Sequence, residues 1–151
     1  MTTRVLHPSA ASNAAPTRLK RSILAVVAGV LFIIVVTTVV DIVLHVTHVY
    51  PPMSQPIGDA LALLATAYRV VISIAGAWWT ARLAPQKPLK HAMILGCVGV
   101  ALGIAGLVAT WNLGLGPRWY PIALAVLAIP QCWVGGTIYQ RRGARTRSPQ
   151  R

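Results

Sequence analysis

Four long runs of apolar residues, broken by short polar stretches, set the pattern of this chain. They predict helices over 22–50, 59–84, 89–111 and 120–140. Each run reaches the roughly 20 residues that a helix needs to cross a bilayer. The first, at about 42 Å, exceeds a hydrocarbon core of about 30 Å, so it is expected to tilt or project at its far end. Pro51 and Pro52 stop it, because proline lacks the N–H that a helix interior requires. Asp59 suits the N-cap of the second helix. Pro85 and Pro88 bound a short turn before the third. Pro130 lies inside the fourth, where it removes the hydrogen bond to the Val126 carbonyl and predicts a kink. The fold expected is all-α: four transmembrane helices in two antiparallel hairpins.

Within the third run Gly96, Gly99, Gly103 and Gly106 recur at helical spacing. Glycine weakens an isolated helix. In lipid it lets a second backbone come close, so the stripe predicts packing against the fourth helix or another copy of the chain.

The polar positions inside the runs are few and aligned. Thr37, Asp41, His45 and His48 follow one face of the first helix. Thr66, Arg69, Ser73 and Thr80 follow one face of the second. A turn centred between these helices sets Asp41 opposite Arg69, His45 opposite Thr66, and Thr37 opposite Ser73. An unpaired charge at a helix centre costs about 2.5 to 3.5 kcal/mol on insertion scales, which favours pairing. Asp41, His45, His48, Thr66, Arg69 and Ser73 therefore form a candidate intramembrane polar or proton site in the outer half of the bilayer. One reading is a lock that holds the hairpin in register. The other is a proton-exchanging or ligand-binding site, since histidine changes charge near neutral pH.

Composition fits the pattern. Of 151 residues, 56% are hydrophobic and 11% charged, against roughly 25% charged in a soluble domain. The formal net charge of +12 suggests nucleic acid only until its distribution is read. Arg4, Arg18, Lys20 and Arg21 precede the first run. Arg82, Lys87 and Lys90 lie between the second and third. Arg141, Arg142, Arg145, Arg147 and Arg151 follow the last. Only Arg118 lies in another loop and only Arg69 within a run, so basic residues mark alternate loops, which places both termini inside. Residues 1–21 and 141–151 read as disordered basic cytoplasmic tails. The retained first run is too long for a signal peptide core, and no cleavage motif follows it. The expected location is a bacterial inner membrane.

No nucleophile-and-base arrangement, phosphate loop or HExxH motif is present, so no catalytic residue, cofactor or metal is expected. Cys97 and Cys132 lack ligand spacing and read as small core residues. The partners expected are the lipid bilayer and a second copy or larger membrane protein, with no nucleic acid.

The segments H-V-Y-P-P at 48–52, A-T-A-Y-R at 65–69, T-A-R-L-A-P at 80–85, T-W-N at 110–112 and W-Y-P-I-A-L at 119–124 carry a resemblance. The region from about Ser22 to Gln140 resembles small four-helix bacterial integral membrane proteins with no established activity. That resemblance implies the fold and no catalytic residue. In size, helix count and a carboxylate in the first span, the chain is also similar to small multidrug transporters. No other motif of theirs is present. The expected function is a structural or accessory membrane component, with a small proton-coupled transporter or channel as the alternative.

Overall fold

The computed structural model describes residues 14–52 and 55–145. Four helices account for most of them: α1 (Ala14–Val46), α2 (Asp59–Leu83), α3 (Pro88–Thr110) and α4 (Trp119–Arg145). All four are long and apolar enough to cross a membrane. The parts of the expected tails at 1–13 and 146–151 lie outside the described residues.

Helix boundaries differ from expectation where local chemistry intervenes. Residues 14–21, expected as disordered tail, are the start of α1, and residues 141–145 extend α4. At its other end α1 stops at Val46, short of Tyr50. The residue before a proline is driven away from helical geometry, and Tyr50 precedes Pro51. His48 adopts a left-handed φ of 58°. Its N–H bonds the His45 carbonyl at 3.1 Å, and the Tyr50 N–H reaches back to Leu44 at 3.0 Å.

The N-cap of α2 is Gly58, with no side-chain cap bond, and Asp59 is the first helical residue. There its negative charge still suits the positive end of the helix dipole. Its carboxylate accepts instead from the Trp119 indole N–H at 2.7 Å. Pro88 opens α3, where its missing N–H costs nothing. Helix α4 continues through Pro130 without a break.

Helix α2 packs against each of the other three. Its contacts with α1 run in opposite senses along the two helices. A Cβ built on Gly76 would stand 2.5 Å from Ile33, and one on Gly29 would meet Thr80. Helices α3 and α4 pack most intimately, through the predicted stripe. A Cβ on Gly96 would come within 3.2 Å of Cys132, one on Gly99 within 3.2 Å of Ala128, and one on Gly103 within 3.0 Å of Ala125. Gly106 meets nothing within 4 Å and falls outside the contact. Helix α4 contributes glycines of its own: Gly135 abuts α2 at Ala77, and Gly136 abuts α3 at Ala92.

The core is made largely of small side chains. Ala77, Ala92, Leu95 and Cys132 form its centre, with Val26, Val30 and Ile33 of α1 against it. Lipid tails are as apolar as leucine, so close backbone approach rather than expulsion of apolar surface joins such helices. Cys97, expected in the core, is exposed on α3.

Helix α1 is the outlying member. It rests on α2 and α3 and makes no comparable contact with α4. Leu24, Val27, Leu31, Val35 and Val39 along it are exposed. The loops at the Pro51 end of the bundle are stitched together, because the Ile57 N–H bonds the Leu115 carbonyl at 2.9 Å.

Candidate functional site

Asp41 lies 5 residues before the end of α1, and Arg69 occupies the middle of α2. The antiparallel course of contacts brings them together. Arg69 Nη2 donates to Asp41 Oδ2 at 2.6 Å. Both side chains keep about a third of their surface, 29% for Arg69 and 30% for Asp41. The pair is half-buried, between the fully screened and fully desolvated limits.

The other carboxylate oxygen is also taken. Tyr68 donates its hydroxyl to Asp41 Oδ1 in a short contact. The Tyr50 hydroxyl lies 3.4 Å from that of Tyr68 and donates to it. Tyr50 is buried despite following the end of α1. The turn at His48 folds it back, and its ring meets His45 edge-on at 5.3 Å between centroids.

Not every aligned residue joins this cluster. His45 holds its Nδ1 2.9 Å from the Asp41 backbone carbonyl rather than reaching Thr66. Thr66 is buried and donates to the Ala62 carbonyl at 2.8 Å. His48 leaves the stripe because the helix ends before it, and its side chain is exposed. Among the described residues no three of His, Cys, Asp or Glu gather as metal ligands would.

Two cavities meet at Arg69. The larger, about 670 Å³, lies toward the Pro51 loop and is lined by Asp41, His45, Tyr50, Tyr68, Arg69 and Tyr120 among others. The smaller, about 280 Å³, is lined by residues of all four helices. Thr37, Arg69, Ser73 and Gln131 give it polar character amid Ile34, Leu95, Leu102 and Leu124. Thr37 and Ser73, expected to face each other, thus share a cavity wall. Thr37 spends its hydroxyl proton on its own helix, near the Ile33 and Ile34 carbonyls at 2.6 and 3.0 Å.

Among the described residues no group accepts from the buried Nε–H of Arg69. A buried donor without a partner typically costs about 1 to 3 kcal/mol. The guanidinium thus commits Nη2 to Asp41, while its buried Nε–H has no partner among the described residues.

Sequence reasoning misses the three tyrosines. Tyr68 sits about 100° around the helix from Arg69, so a stripe argument passes over it. Tyr120 reads as an interfacial aromatic, and Tyr50 as part of the helix stop. The available signal was the carboxylate itself, which has two oxygens to satisfy and only one arginine nearby.

Comparison of the chain with protein-family models, curated proteins and solved structures finds no match. The functional reading therefore stands on the chain's own geometry.

Proposed function

We propose that this chain is a small multi-pass membrane protein of the structural or accessory class. Its polar cluster acts chiefly as a lock between α1 and α2. In this reading the helices form two antiparallel hairpins in a bacterial inner membrane. Both termini and the Arg82–Lys90 turn face the cytoplasm, and the partner is a second copy or a larger membrane protein.

One observation carries the proposal: both oxygens of Asp41 are engaged from α2, by Arg69 and by Tyr68. A carboxylate so held ties α1 to α2 at two points. The glycine contacts of α3 and α4 add a second rigid seam. The proposal is tested by extracting membranes in mild detergent and sizing the tagged chain on native gels. Migration as a larger assembly supports it, and migration as a lone monomer opposes it.

The larger cavity favours a second reading, a proton-coupled transporter or channel. It gives Asp41 and His45 a common open space, and Arg69 borders both cavities. Reconstitution into vesicles holding a pH-sensitive dye separates the two. Proton flux abolished by Asp41→Asn supports a conduit, and flux no greater than in empty vesicles supports the lock.

A further inference from the structure

A basic cleft lies far from the polar cluster, at the turn between α2 and α3. Ser22 of α1, Gln86 and Lys87 of the turn, and Lys90, His91 and Ile94 of α3 line a space of about 260 Å³ there. Pro85 and Pro88 flank Lys87, which takes a left-handed φ of 48°. Its carbonyl accepts from the Lys90 N–H at 3.0 Å, and His91 Nδ1 lies 3.3 Å from the same oxygen. The backbone thus fixes where the two lysine side chains leave the chain, and both are exposed.

No side chain of this protein can neutralise these lysines. Its acidic residues number 2, Asp41 and Asp59. Asp41 is already matched by Arg69 at 2.6 Å. Asp59 and the turn stand at opposite ends of α2, about 36 Å apart, several times the screening length of about 8 Å in physiological salt. Arg82 nearby holds its guanidinium over the Trp78 and Trp79 rings, at 5.7 and 5.9 Å from their centroids. Lys87 and Lys90 are therefore cations whose counter-charge comes from outside the chain. A charge that only orients a helix needs to be on the correct side of the membrane, and nothing more. These two also share a cleft.

Polarity along the cleft narrows the partner. Helix α3 runs from the lysines into its apolar span, and Ile94, one turn beyond Lys90, is exposed. Ile23, next to Ser22 on α1, is exposed as well. A phosphate held by the lysines has bare aliphatic surface directly on its membrane side. A soluble anion has no use for that surface, whereas a lipid has.

We propose that this cleft binds the headgroup of an anionic glycerophospholipid. The phosphodiester oxygens accept from the ammonium groups of Lys87 and Lys90, and the acyl chains run past Ile94 and Ile23. A zwitterionic lipid brings its own ammonium and gains less. The inference rests on the helices spanning a bilayer, and not on whether the chain is an accessory protein or a conduit.

The test is native mass spectrometry of the full chain released from nanodiscs. These hold phosphatidylglycerol and phosphatidylcholine in equal parts, with identical acyl chains. Preferential retention of phosphatidylglycerol is expected. Lys87→Asn combined with Lys90→Gln should weaken that retention about ten- to thirtyfold. Asparagine tolerates a left-handed φ, so the turn survives the change. Arg141→Gln combined with Arg142→Gln removes the same charge from the same end of the bundle, outside the cleft, and should leave retention nearly unchanged.

Three results would overturn the proposal. Equal retention of the two lipids would remove the preference for charge. Equal losses in the two paired variants would assign the attraction to the whole basic end and not to the cleft. Full displacement of the lipid by inorganic phosphate or by an acidic peptide would give the cleft to a soluble anion.

Discussion

Asp41 and Arg69, 28 positions apart, meet at 2.6 Å, and Tyr68 beside the arginine closes on the second oxygen of the same carboxylate. A single acidic side chain of α1 is thereby held twice by α2. Removing either charge strands the other in a half-buried setting. Asp41→Asn and Arg69→Gln should each destabilise the protein by about 1 to 3 kcal/mol, between the surface and buried limits. The double variant should lose less than the sum, with a coupling of at least about 0.5 kcal/mol. A double-mutant cycle on unfolding in detergent measures it. Strictly additive losses would mean that the pair contributes no interaction.

Tyr68→Phe removes one hydrogen bond to a charged acceptor, expected to cost about 1.5 to 3 kcal/mol. In an Asp41→Ala background the same change should cost less than half as much. Equal losses in both backgrounds would assign the effect to ring packing and not to the carboxylate.

The glycine stripe divides into three working positions and one idle one. Gly103→Leu should lower stability by about 1 to 3 kcal/mol, because any side chain there meets the Ala125 backbone. Gly106→Leu should be nearly neutral, since a Cβ there finds open space. Thermal unfolding of the two variants side by side decides it. Equal damage would contradict the α3–α4 contact.

Orientation is testable in a background free of Cys97 and Cys132. A cysteine at the exposed Gln86 should stay unlabelled by an impermeant reagent until cells are opened. One at Asn112 should react in intact cells. The reverse result would invert the topology proposed from the alternating basic loops.

The ion pair was legible in the sequence because two scarce signals coincided. Asp41 is the sole acidic residue inside the apolar runs, and the hairpin register sets Arg69 opposite it. The small-residue seam was legible for a similar reason, since four glycines at helical spacing have few other uses in lipid. His48 was misplaced because stripe logic assumes that a helix continues. The helix ends at Val46, and His48 turns left-handed. Tyr68 was invisible because it belongs to a different helix face and reaches Asp41 through side-chain length. The two cavities were beyond pattern reading altogether, since each is lined by residues from several separate elements.

That outlying position of α1 bears on how the chain is made. Helix α1 is synthesised first, yet among the described residues its backbone packs on α2 and α3 and not on α4. Asp41 is synthesised 28 residues before Arg69, and the basic residues of its own helix, Arg18, Lys20 and Arg21, lie at the opposite end of it. The first two helices consequently gain most by entering the bilayer as a joined unit. The carboxylate then travels with the guanidinium and the phenol already beside it. The α3–α4 contact is not needed for that step.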